Sequence, residues 1–166
     1  MAVSDLGWGK IMGSTLTRVV GGFIAGALAV LIFHQGMYLL IQQAGLPLGG
    51  SAYNMTPDKA AFGMPRLVNQ MFWGGLWGIL FAYLIDMLPG PNVVRGFIFG
   101  SVFPMLLGSW LVVALIKGTP IFSGAFAKGD FNILALRNGF LLNGIAFGIG
   151  LALLYPLIAG LFTKRS

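Results

Sequence analysis

The side chains best equipped for chemistry gather in one stretch, Phe33-His34-Gln35-Gly36-Met37-Tyr38, with Gln42 one turn further on. An imidazole, two amides and a phenol lie there inside an otherwise apolar run. At about 100° per residue, His34, Gln35, Tyr38 and Gln42 fall within an arc of roughly 100°, one face of a helix. Such groups are costly against hydrocarbon, so the face must meet protein, water or a ligand. Asn143, and Asn69 with Gln70, are the candidate partners. Interhelical hydrogen bonds between such groups are worth about 0.6–2 kcal/mol. A structural contact face of His34, Gln35, Tyr38, Gln42 and Asn143 is therefore the leading expectation.

Three chemical uses of His34, the single histidine, compete with that one. A proton relay would want an acidic group in a helix, yet Asp5, Asp58, Asp86 and Asp130 all fall at ends or in loops. A haem or metal site would need a second ligand from another chain or from a weak donor such as Met37. A solute site would need a lined cavity. No nucleophile–base–acid set is visible, since the chain has no glutamate and no cysteine and no phosphate-binding loop. The expectation is no catalytic residue, no metal and no resident cofactor.

The elements that must position these residues follow from composition. The 166 residues are 57% hydrophobic and only 8% charged, whereas a soluble domain carries about a quarter charged residues. The mean hydropathy is +0.89, and the 26 glycines suit membrane helices, which are richer in glycine than soluble ones. Four runs reach the roughly 20 residues that a span requires, at about 17–42, 68–88, 93–116 and 134–162. The first is preceded by Lys10 and Arg18 but is too long for a cleaved leader's apolar region, about 7–15 residues, and reads as a retained span. The fold class is an all-α integral membrane protein: one transmembrane domain over residues 1–166, a four-helix bundle with two longer interfacial loops.

The Pro89-Gly90-Pro91 turn makes the second and third helices antiparallel neighbours. The other connections are longer and carry both turn residues (Pro47, Gly49, Gly50, Pro57, Pro65; Pro120, Gly124, Gly129) and apolar ones (Tyr53, Met55, Phe62, Met64; Ile121, Phe122, Phe126, Phe131). Loops of that kind lie on a membrane surface. Four spans put both termini on one side. The basic residues divide evenly, with Lys10, Arg18, Arg95, Lys164 and Arg165 against Lys59, Arg66, Lys117, Lys128 and Arg137, so the positive-inside rule favours neither side. The Lys164-Arg165 tail tips the expectation toward cytoplasmic termini. The net charge of +6 suits anionic headgroups and, being strung along the chain, does not read as a nucleic-acid surface.

Every helix carries glycines four residues apart: Gly22 with Gly26, Gly74 with Gly78, Gly96 with Gly100, and Gly144 with Gly148. Small residues let helices approach closely in lipid. Gly22, Ala25, Ala29 and Gly36 give the first helix a packing face opposite its polar one. Gly22-Phe23-Ile24-x-Gly26 recurs as Gly96-Phe97-Ile98-x-Gly100, an offset of 74 that also relates Asn69 to Asn143 and Gly74 to Gly148. Parallel repeats of two helices and chance matches in a glycine- and phenylalanine-rich chain both account for this. Pro104 and Pro156 predict kinks. Trp73 and Trp77, one turn apart, read as interfacial anchors or as a contact for lipid or pigment.

The Phe33-His34-Gln35-Gly36-Met37 and Phe72-Trp73-Gly74-Gly75-Leu76-Trp77-Gly78 runs, with Lys117-Gly118 and Leu142-Asn143-Gly144, resemble a group of small, uncharacterised four-helix proteins of the bacterial inner membrane. That resemblance implies a multi-pass protein of that membrane and carries over no activity or site. The expected function is a non-catalytic accessory or structural subunit packing against a larger membrane complex, with lipids and other subunits or its own copies as partners. The alternative is a small oligomeric transporter or channel for an uncharged or small solute, with the polar face lining its path.

Overall fold

In hydrocarbon no water can satisfy a peptide group, so an apolar run of membrane length must bond its backbone to itself, as a helix does. The computed structural model describes residues 15–58, 62–122, 126–127 and 130–163. Asp5, Lys10, Lys59, Gly124, Lys128, Gly129, Lys164 and Arg165 lie outside the described residues. Four helices are long and apolar enough to cross a membrane: α1 (Thr17–Gln43), α2 (Arg66–Met87), α3 (Asn92–Ile116) and α4 (Ile133–Phe162). The expected ends agree within two residues. The chain is thus an all-α, four-helix bundle suited to a multi-pass membrane protein.

Local sequence explains the ends. Gly118 stops α3 in a left-handed conformation, φ 63°, and the N–H groups of Gly118 and Thr119 return to the Leu115 and Ala114 carbonyls, a glycine C-cap. Asn132 starts α4 by accepting from the Ala135 N–H at 3.1 Å, an N-cap. Each long loop holds one short antiparallel ribbon, β1 (Pro57–Asp58) with β2 (Met64–Pro65) and β3 (Phe126–Ala127) with β4 (Asp130–Phe131). Parts of the helices are wound in wider turns, the longest over Ser101–Val112 around Pro104. Ser109 Oγ donates to the Pro104 carbonyl at 3.0 Å. Pro156 lies in a stretch that stays α-helical, Gly150–Thr163, so only Pro104 accompanies a departure from α geometry.

The glycines create the tertiary structure. In α1 against α2, a Cβ on Gly26 would strike the Gly74 carbonyl, and one on Gly22 would lie 2.6 Å from the Gly78 carbonyl. In α3 against α4, a Cβ on Gly148 would lie 3.1 Å from Gly100 Cα, and one on Gly96 would lie 2.6 Å from Ala152 Cβ. Gly144 faces Phe97 and Ser101 of α3. Both pairs therefore touch backbone to backbone, but in different register: in the first pair Gly78 sits against Gly22 and Gly26, whereas in the second it is Gly148, the offset-74 counterpart of Gly74, that sits against Gly96 and Gly100. The second seam is thus slipped by about one helical turn from the pairing that the sequence offset implies. Phe81 of α2 and Tyr155 of α4 meet edge to face with centroids 6.1 Å apart.

Gly36 departs from the expectation. A Cβ there would meet nothing within 4 Å, so it belongs to no seam. Gly26 already faces Gly74 in an antiparallel pair, and ten residues along α1 its counterpart would precede Arg66, where α2 begins.

Gly26→Ala and Gly100→Ala should each destabilise the protein in detergent by about 1–3 kcal/mol, the usual effect of overpacking. Gly36→Ala should be neutral or slightly stabilising, because alanine is the better helix former. Thermal unfolding followed by circular dichroism checks this, and equal losses at Gly26 and Gly36 would contradict the seam.

Candidate functional site

The polar face of α1 finds its partner inside the chain. Gln35 is 1% exposed, and each end of its amide is engaged. Its Oε1 accepts from the backbone N–H of Tyr53 at 2.7 Å. Its Nε2 donates to Gln70 Oε1 at 2.9 Å and lies 3.4 Å from His34 Nδ1. Tyr38 OH donates to the Gly49 carbonyl, and Gln42 Nε2 donates to the Gly50 carbonyl at 2.9 Å. The loop segment of residues 44–58 thus folds back over α1 and takes up the hydrogen-bonding capacity that the bilayer would leave unmet.

Several local features bend the loop to this task. Gly50 has φ 87°, a left-handed position that glycine occupies without strain; a Cβ there would lie 2.9 Å from Tyr38 OH. Tyr53 also has positive φ, 50°, rare for a residue with a Cβ, and the Tyr53 N–H is the one received by Gln35. Asn54 Oδ1 accepts from the Thr56 N–H at 2.8 Å, an Asx turn. The Asn54 carbonyl receives the Leu67 N–H at 2.9 Å and the Thr56 carbonyl the Arg66 N–H at 3.2 Å, which ties the loop to the start of α2. From α4, Asn138 Nδ2 reaches the Pro47 carbonyl at 3.0 Å and Arg137 reaches it at 3.3 Å.

Of the expected partners, Gln70 is the one brought to this face. Asn143 stays on its own helix, its Nδ2 donating to the Gly139 carbonyl at 3.3 Å, and the face does not include it. The physical reason is competition: a side-chain amide within one turn of its own helix carbonyls can satisfy itself locally. His34 lies at the edge of the cluster, half-buried. The two tryptophans diverge. Trp73 is 42% exposed and meets Phe72 edge to face at 6.1 Å, whereas Trp77 packs against the core and its ring lies 2.9 Å from where Gly108 would place a Cβ.

Tyr38, the turn at residues 49–51, Asn54, Arg66 and Gln70 enclose a half-open polar cavity of about 160 Å³ at the loop end of α1 and α2. Side-chain types identify Gln35 and Tyr38 in the sequence, but they do not reveal the backbone carbonyls of Gly49 and Gly50, the Tyr53 N–H or the Arg66 wall. Backbone donors and acceptors carry no signature in a sequence; the clustered Pro47, Gly49 and Gly50 are the only trace of a turn. No group of three His, Cys, Asp or Glu side chains able to hold a metal occurs among the described residues. No family model matches the chain, and no curated protein or solved structure resembles it at a significant level.

Gln35→Leu should destabilise the protein by roughly 0.5–1.5 kcal/mol, because it removes the amide bonds to the Tyr53 N–H and Gln70 that join the loop and α2 to α1. It should also raise hydrogen exchange across residues 44–56. His34→Phe should leave both nearly unchanged. Exchange measured by mass spectrometry separates the two variants, and a Gln35→Leu protein with an equally protected loop would show that the amide does not hold it.

Proposed function

We infer that the protein is a non-catalytic subunit of the bacterial inner membrane, its termini cytoplasmic, that acts by packing against a larger membrane protein assembly. The observation that carries this reading is the filled bundle axis. Phe81, Phe99, Phe147 and Tyr155 are all at most 2% exposed. Phe81 meets Phe99 at 5.1 Å and Phe99 stacks on Phe103 at 4.9 Å. Among the described residues these rings fill the centre of the bundle, where a path through a single copy would run, and ion or proton routes through membranes ordinarily need intramembrane charge as well.

The outer surface leaves room for a neighbouring helix. Phe72, Trp73 and Leu76 of α2 and Met55, Phe62 and Met64 of the first loop are exposed, offering apolar area to lipid or to a neighbouring helix. A transporter formed between copies would line its route with an outward polar wall. The polar face of α1 is instead covered by the chain's own loop, which weakens that alternative.

Extraction of native membranes in a gentle detergent, followed by native mass analysis, is expected to recover the chain together with at least one other membrane protein. Recovery solely as a monomer or homo-oligomer would overturn the subunit reading. Vesicles containing the purified protein should release an entrapped small uncharged solute no faster than empty ones.

A further inference from the structure

We propose that the cavity at the loop end of α1 and α2 binds a phosphate group, presented by the headgroup of an anionic lipid. The hydrogen-bonding groups that remain after the internal bonds are made decide what it can hold.

The orientation of the amides is fixed by backbone groups that can only donate. The Tyr53 N–H donates to Gln35 Oε1, so the other end of Gln35 is its NH₂, which donates to Gln70 Oε1. Gln70 is left with its NH₂. By the same logic Thr56 N–H donates to Asn54 Oδ1, leaving the Asn54 NH₂. The carbonyls of Gly49 and Gly50 that line the cavity already accept from Tyr38 and Gln42. Each of these carbonyls has thus already taken one hydrogen bond, and the side-chain groups left over are chiefly donors: two amide NH₂ groups, the Ser51 hydroxyl and the guanidinium of Arg66. The lining contains no carboxylate. The N–H groups of Arg66 and Leu67 are already bonded, so the site depends on side chains rather than on the helix terminus.

A donor-rich, acid-free cavity bearing one arginine suits an oxyanion, which accepts several bonds at once and pairs with the guanidinium fork. Location points to lipid as the source. Tyr38 lies five residues before the end of α1, about 7–8 Å at 1.5 Å per residue, which is headgroup depth. The exposed Tyr53, Met55, Met64 and Val68 near it suit the same interfacial layer. A volume near 160 Å³ holds a headgroup phosphate and leaves the acyl chains outside along α2.

The test titrates the purified full chain in detergent with short-chain phosphatidylglycerol, the diacylglycerol of the same chains, and inorganic phosphate, read by native mass spectrometry. Saturable binding of one phosphatidylglycerol is expected, weakened about tenfold by Arg66→Gln, a loss of about 1.4 kcal/mol, and less by Arg66→Lys. Diacylglycerol should not bind. Arg66 is exposed, and matching circular dichroism confirms that the variants fold. Equal phosphatidylglycerol binding by Arg66→Gln, or equal binding of diacylglycerol, would overturn the site. Arg66-dependent binding of inorganic phosphate as tight as that of phosphatidylglycerol would overturn the lipid as its source.

Discussion

A leucine side chain gains as much apolar contact from a lipid tail as from another helix, so burial of apolar area, which drives soluble folding, does little to hold membrane helices together. Close van der Waals approach takes its place, and approach is limited by the bulk of the side chains between the axes. The carbonyl of Gly78 against Gly22, and the Gly96–Ala152 contact in the other half, show how far this chain takes the solution. Each glycine leaves no side-chain carbon in the gap, and the helices settle with backbone against backbone. The two helix pairs exist because of that approach; the core, the loops and the cavity are positioned by it.

The two pairs then join asymmetrically, and the sizes of the residues between them explain how. Where α1 faces α4 the core residues are Ala25, Ala29 and Ala159, and Gly21 lies so close that a Cβ there would sit 3.6 Å from Ala159 Cα. Toward α2 and α3 the same core holds the larger Phe99, Phe103 and Ile85. Large rings on one side and small residues on the other keep the total core filled while drawing α1 and α4 together and holding α2 and α3 apart. Phe81, Phe99 and Tyr155 fill the resulting wedge edge to face, the geometry aromatic quadrupoles prefer.

Features that depend on local pattern are legible in the sequence. The spans follow from run length, the α3 terminus from Gly118, and the packing seams from glycines spaced four apart, because each is fixed by residues adjacent in sequence or on one helix face. Pairing across long separation is not. The sequence offers Asn143, Asn69 and Gln70 as partners for the polar face and places Asn143 on it, and only the seam, by setting the height of α2 against α1, brings Gln70 to Gln35 and leaves Asn143 to its own helix. Gly36 and Trp77 depart from expectation for a related reason. Both belong to faces whose opposing element is decided by where a neighbouring helix begins or how far apart two helices stand.

The polar cap illustrates how one buried amide disciplines a long loop. Gln35 at 1% exposure must have both ends satisfied or forfeit the desolvation energy of a peptide-like group, roughly 1–3 kcal/mol. A helix neighbour supplies only one partner, Gln70. The second must come from a backbone N–H, and Tyr53 presents it only by adopting a left-handed φ of 50°, a conformation that disfavours a residue with a Cβ by about 1–2 kcal/mol. That penalty is of the same order as the one it averts, so the Tyr53 bond alone would hold the loop weakly. The additional bonds from Tyr38, Gln42, Asn138 and Arg137 to the carbonyls of residues 47, 49 and 50 tip the balance. Because α1 and α4 both supply donors, the loop is closed only when those helices are packed. Formation of the cap, and of the cavity beneath it, is therefore coupled to assembly of the bundle.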